Sequence, residues 1–239
     1  MKKTIAIAAT AALAAGGVGA VAATKTKDAT SRCVVNGAET VTANNDLRVY
    51  ALDKGFKDDS SATGLYACRY STGKRVSLGT AYVSNDDEGG SGPIRYIRDI
   101  SLSEDLNDGS APAVAFVDTN CVKNPCKSEV VVKSMVTGKT TRRFKAGSPF
   151  DYLELSFPTD QDGLAIAWLE TSAGGTCEQG CRVHLIKESG DKVLDEGTDI
   201  DADTFGALAN DHPGVIHSLG TNEFVWKRGA TVKIASFND

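Results

Sequence analysis

The segment Leu164-Ala165-Ile166-Ala167-Trp168-Leu169-Glu170 is apolar at six successive positions. Alternation along a strand sends Leu164, Ile166 and Trp168 to one face and Ala165 and Ala167 to the other. A strand with one wet face alternates apolar with polar residues, so this one is covered on both sides. Large side chains opposite small ones are what sheets stacked face to face require, because bulk from one sheet must fit against its neighbour. The same reading applies to Ala113-Val114-Ala115-Phe116-Val117-Asp118, and related stretches occur at Leu47 to Asp53 and Glu223 to Arg228.

Each of the four stretches carries an aromatic at the same place. These residues, Tyr50, Phe116, Trp168 and Trp226, are spaced by 66, 52 and 58 residues and are read as the repeat core. Turn sequences recur with them as Thr72-Gly73-Lys74, Thr137-Gly138-Lys139 and Ser189-Gly190-Asp191. From aromatic to turn glycine the separations are 23, 22 and 22 residues. Length varies between one turn and the next aromatic, where insertions fall in surface connections. The second unit offers strands at Asp99–Ser103, around Phe116, at Glu129–Met135 and at Thr140–Phe144; the third offers Tyr152–Phe157, Leu164–Glu170, Arg182–Lys187 and Lys192–Leu194. The best helical candidate is the short stretch Ala202–Asn210.

The expected fold is therefore all-β, made of repeated four-stranded antiparallel units, β-propeller-like with few blades; a β-sandwich or an open repeat array are the alternatives. Three full units and a shortened fourth fit the chain, and four blades is the lower limit for a propeller. The combination of a Leu-Ala-Ile-Ala-Trp strand, a Val-rich strand and a Thr-Gly-Lys turn resembles the blades of uncharacterised secreted bacterial β-propeller-like repeat proteins, over roughly residues 45–237. The resemblance implies a fold and no activity.

The N-terminus begins Met1-Lys2-Lys3, continues with an apolar stretch from Ile5 to Ala15, and reaches small residues at Ala20-Val21-Ala22. That order predicts a signal peptide over residues 1–22, followed by a single all-β repeat domain over 23–239. Retention as an N-terminal anchor is the alternative, although an Ala- and Gly-rich stretch makes a poor spanning helix. Loss of Lys2 and Lys3 moves the net charge from −5 to −7. An acidic chain without a basic block predicts no nucleic-acid partner and no attraction to anionic membrane, and no membrane insertion is expected once the signal is cleaved.

Six cysteines, Cys33, Cys68, Cys121, Cys126, Cys177 and Cys181, read as disulfides in an exported chain. Cys121 with Cys126 and Cys177 with Cys181 occupy the same loop of successive units, which predicts local bridges and leaves Cys33 for Cys68. A zinc site built from the two pairs lacks a neighbouring His. Asp199, Asp201 and Asp203 begin a calcium-loop pattern, but Thr204 and Asn210 stand where the sharp-turn Gly and bidentate Glu belong. No cofactor or metal is expected. Gly89-Gly90-Ser91-Gly92-Pro93 resembles the nucleophile segment of trypsin-like proteases, yet His184, His212 and His217 all lie downstream of Ser91, the wrong order for that fold. Each His is read as structural.

Two function classes follow. The first is a secreted or cell-envelope binding or structural module, extracellular or periplasmic, with an extracellular or envelope ligand and no identifiable catalytic site. The second is a propeller-type extracellular hydrolase or lyase, in which His184 or His217 would meet carboxylates in one cleft.

Overall fold

The computed structural model describes residues 29–58, 60–84, 94–103, 111–121, 126–146, 152–157, 163–171, 176–207 and 223–238. The expected signal peptide, Gly89 to Pro93, His212 and His217 lie outside these residues. Apart from a helical turn at residues 29–31, the described chain is β-structured and antiparallel, and its strands fall into the units anticipated from the repeats.

Unit 1 contains β1 (Glu39–Ala43), β2 (Leu47–Lys57), β3 (Ser60–Arg69) and β4 (Arg75–Ser84). Unit 2 contains β5 (Arg95–Leu102), β6 (Ala113–Asn120), β7 (Lys127–Ser134) and β8 (Thr140–Ala146). Unit 3 contains β9 (Tyr152–Ser156), β10 (Ala165–Glu170), β11 (Cys181–Lys187) and β12 (Gly190–Gly197). Unit 4 has three strands, β13 (Ile200–Ala207), β14 (Glu223–Arg228) and β15 (Thr231–Ser236). Every strand pairs with its sequence neighbour inside its unit. Units 1 and 2 join through the single pair Tyr82 and Arg95. The first strand of unit 3, β9, lies against β5 and β13, so the first strands of units 2, 3 and 4 lie together, as inner strands do in a few-blade or open propeller-like array.

Covering both faces of each sheet demands a series of interlocking cores, and the structure has them. Leu47, Val49, Leu65, Ala67 and Leu78 of unit 1 meet Val114, Phe116 and Val131 of unit 2. On the opposite face of unit 2, Ala115, Val117, Val130 and Val132 meet Leu153, Leu155, Leu164 and Ile166 of unit 3. Beyond unit 3, Ala165, Ala167, Leu169, Val183 and Leu185 meet Phe205, Phe224, Trp226 and Phe237 of unit 4. In the second and third units, strand alternation gives the aromatic face to the preceding unit and the alanine face to the following one. The small residues create the space that the next aromatic fills.

Among the described residues, no sheet unit covers Tyr50. Its cover is the N-terminal segment, whose Cys33, Val35 and Ala38 pack with Tyr50, Tyr66 and Cys68. Cys33 is bonded to Cys68, and Arg48 donates to the Cys33 carbonyl at 2.8 Å. The segment thus closes a face that would otherwise expose two stacked tyrosines, whose ring centroids are 5.5 Å apart. At the other end of the array Val232 and Ile234 of β15 remain exposed.

One expectation is corrected. The stretch read as a helix candidate at Ala202–Asn210 forms β13 as far as Ala207, pairing with β14. The pull is tertiary: Phe205 enters the unit 3/4 core, 2% exposed. The register shift between Asp201 and Gly206 is bridged by Thr204, whose hydroxyl accepts from the Lys227 N–H and donates to the Asp201 carbonyl. A short stretch of modest helix propensity yields to such pairing.

The turn glycines at the ends of the third strands adopt the left-handed region where a hairpin needs it, with φ of +70° at Gly73 and +77° at Gly138.

Candidate functional site

Unit 3 gathers the ionisable groups. Its strands set Trp168 opposite His184, Glu170 opposite Arg182, and Arg182 opposite Glu196. Register places these side chains on one face, at the end of the sheet beyond the core shared with unit 2. The His184 ring stacks on the Trp168 indole, with centroids 4.8 Å apart. Its Nδ1 lies 3.0 Å from an Asp191 carboxylate oxygen and its Nε2 lies 3.3 Å from Glu170. The imidazole thus meets two carboxylates while its side chain is only 8% exposed. Ionised carboxylates accept hydrogen bonds and do not donate them, so both contacts are hydrogen bonds when the ring carries both protons. Neither ring nitrogen is left open to a substrate.

Beside this brace lies a cleft of about 210 Å³ lined by Glu170, Thr171, Gln179, Gly180, Arg182 and Glu196. Arg182 stands between two carboxylates without closing on either, at 3.7 Å from Glu170 and 3.6 Å from Glu196. Both separations exceed a hydrogen bond, and the Arg182 side chain is 52% exposed. The far wall is the loop closed by Cys177–Cys181, where the Gly180 N–H donates to the Cys177 carbonyl. Gly180 has φ +100°, and open space surrounds its Cα where a side chain would begin.

The other anticipated residues have structural surroundings. Cys121 is bonded to Cys126 in the equivalent loop of unit 2. Tyr50, Phe116 and Trp226 are 2%, 1% and 5% exposed, whereas Trp168 is half-buried. The two tryptophans differ further. Trp226 Nε1 donates to Asp195 of unit 3 at 2.8 Å, while the buried Trp168 Nε1 has no hydrogen-bond partner among the described residues. Burial works against the charge of Asp195, yet the Trp226 and Glu196 N–H donors and the Arg228 guanidinium outweigh it. They hold the carboxyl below its ordinary value.

Asp199 accepts from Arg228, and Asp203 faces the Tyr152 hydroxyl at 3.5 Å. Asp199, Asp201 and Asp203 therefore do not converge, and among the described residues no three His, Cys, Asp or Glu side chains are grouped to hold a metal ion. Glu170, Arg182, Asp191 and Glu196 were not singled out from the sequence. Their signal was available only in the pairing register, since Glu170 and Glu196 are 26 residues apart and meet across Arg182.

No protein-family model matches the chain, and no curated protein matches it. Among solved structures, the chain is similar to the β-propeller domain of the Trilobed protease from Pyrococcus furiosus, described as having an open velcro topology. The likeness covers 84% of this chain and 72% of that one at 10% identity, with a TM-score of 0.34. The class is thus set by the chain's own sheets, an all-β array of stacked antiparallel units. Its three disulfides are compatible with an oxidising location, and no described helix is long and apolar enough to cross a membrane.

Proposed function

We propose that the chain is an exported binding module whose recognition site is the polar cleft of unit 3. His184 does meet two carboxylates, the arrangement a hydrolase or lyase would need, and what carries the binding reading instead is that both of its ring nitrogens are used in doing so. A general base needs a ring nitrogen within reach of the proton it removes, and both nitrogens of this buried ring are engaged by Asp191 and Glu170. The imidazole acts as a brace that positions Glu170 at the cleft edge. Arg182 is then the adaptable group: cationic, half exposed and held at arm's length by two carboxylates. A ligand offering a carboxylate or amide oxygen to Arg182 and an N–H donor to Glu170 or Glu196 would complete the contacts the cleft leaves open. Export is supported by the charged, apolar and small-residue order of residues 1–22 together with the disulfides.

The test uses a panel of small zwitterions and dipeptides in thermal-shift and calorimetric titrations, alongside chromogenic esters, glycosides and polyuronates. Wild-type protein should bind at least one zwitterionic probe, and Arg182→Ala should abolish that binding. His184→Asn should lower the melting temperature. Turnover of any substrate that His184→Asn abolishes would overturn the binding reading in favour of the hydrolase or lyase alternative. Absence of binding across the panel would overturn the assignment of the cleft.

A further inference from the structure

The net charge of −5 conceals a strong segregation. Residues 151–239 hold six Lys and Arg against sixteen Asp and Glu. By contrast, the outer hairpins of units 1 and 2, residues 60–84 and 127–146, hold nine Lys and Arg and one carboxylate, Glu129. The equivalent hairpin of unit 3, residues 181–197, has three Lys and Arg and four acids. The same place in the repeat thus carries opposite charge in different units.

The two basic hairpins form one surface. Lys74 Nζ, in the turn of unit 1, donates to the Val136 carbonyl beside the turn of unit 2. Lys133 Nζ of unit 2 donates to the Ser77 carbonyl of unit 1 at 2.6 Å. Lys74, Arg75, Lys139, Arg142, Arg143 and Lys145 are all exposed along this rim. Arg142 is balanced by Glu188 and Arg143 by Glu129. Arg75 is bound by the carbonyls of Arg32 and Val34, which leave its charge unbalanced. The Lys133 ammonium is held below its usual value by burial and then by Arg143 and Arg95, a sign of crowded like charges.

We infer that the joined outer rim of units 1 and 2 binds a linear anionic polysaccharide. A strand the length of β8 spans about 20 Å, so Lys139 just before it and Lys145 near its end address well-separated charges of an extended chain. Single-stranded nucleic acid uses exposed aromatic platforms. Here Phe144 packs into the unit 2/3 core, Tyr70 packs with the Cys33, Tyr50 and Cys68 cluster, and Tyr82 is covered by the Lys57 ammonium. A lipid surface calls for a cationic face with apolar anchors, whereas this rim is a pair of hairpin edges. A flexible chain can follow the rim past the point where Arg142 meets Glu188 of the acidic unit 3.

The test measures binding of fluorescent heparin oligosaccharide and polygalacturonate at 50 and 200 mM salt, with anionic phosphatidylglycerol vesicles and single-stranded DNA as competing probes. Lys139→Glu with Lys145→Glu should weaken polysaccharide binding by about tenfold or more and flatten its salt dependence, as expected when counterion-releasing contacts are lost. Lys187→Glu with Lys192→Glu, the same charge change on the unit 3 hairpin, should stay within about threefold of wild type. The milder Lys139→Gln with Lys145→Gln keeps the test decisive if the reversed pair folds poorly, with a loss of about threefold. Absence of binding to both polysaccharides at 50 mM salt, equal losses in rim and control variants, or tighter binding to vesicles or single-stranded DNA would each overturn the inference.

Discussion

Replacing Trp226 by Phe keeps an aromatic in the unit 3/4 core and removes one N–H. In the native structure that N–H donates at 2.8 Å to Asp195, whose side chain is only 10% exposed. A hydrogen bond to a charged acceptor contributes about 1.5–3 kcal/mol, and the smaller ring adds a packing loss of about 1 kcal/mol. The expected penalty at pH 7 is therefore about 2–4 kcal/mol. Its pH dependence has a definite sign. The folded Asp195 carboxyl titrates below the unfolded value of about 3.9. A depressed carboxylate contributes stability that is fully present above the unfolded value and disappears as pH falls through the folded one. The hydrogen-bond share of the penalty should thus be present at pH 7 and fade below about pH 4, leaving the packing share of about 1 kcal/mol. Urea denaturation followed by far-ultraviolet circular dichroism at pH 7 and pH 3 measures both values. Equal penalties at the two pH values, or less than about 0.5 kcal/mol at pH 7, would refute the reasoning.

Two further outcomes follow from the fold. Asp99 sits at φ +51° beside the irregular pairing of β5, and burial raises its carboxyl above the ordinary range although Arg98 opposes this. A raised carboxyl weakens the fold as pH climbs through its folded value, so Asp99→Asn should be neutral or stabilising at pH 7 and lose that advantage at pH 3, as read by melting temperature. Cys33–Cys68 closes a separation of 35 residues, and Cys177–Cys181 one of only 4. Loop-closure entropy gives the first roughly 3–4 kcal/mol and the second about 2. Denaturation of the paired Cys→Ser variants should show the larger loss for Cys33 with Cys68, and hydrogen exchange should show it concentrated in unit 1.

What was legible in the sequence was the part governed by period. Alternation around Trp168 and Phe116, with alanine on the reverse face, specifies a sheet covered on both sides, and the constant distance to the turn glycine specifies the two strands that follow. The role of Ala167 as space for the next unit follows from the same rule. The site was less legible because it is assembled by register. Glu170, Arg182 and Glu196 come from three strands and meet only through the pairs that β10, β11 and β12 make. A bulge between Val183 and His184 shifts that register by one, which no spacing in the sequence announces. The short helical candidate near Ala202 became a strand for a related reason, since Phe205 answers to the core of the neighbouring unit and not to its own segment.

The claim on which the rest depends is that the alanine faces of units 2 and 3 receive the next unit's aromatics. A double-mutant cycle across the unit 3/4 interface tests it directly, using Ala167→Leu and Phe224→Leu, two positions that are 0% exposed in the same core. Ala167→Leu alone should cost about 1–3 kcal/mol by overpacking, and Phe224→Leu alone should cost about 1–2 kcal/mol by leaving space. Together they should compensate, with a favourable coupling of about 1 kcal/mol or more in urea denaturation. Additivity within about 0.5 kcal/mol would show that the two residues do not share an interface, and the stacked arrangement would be wrong.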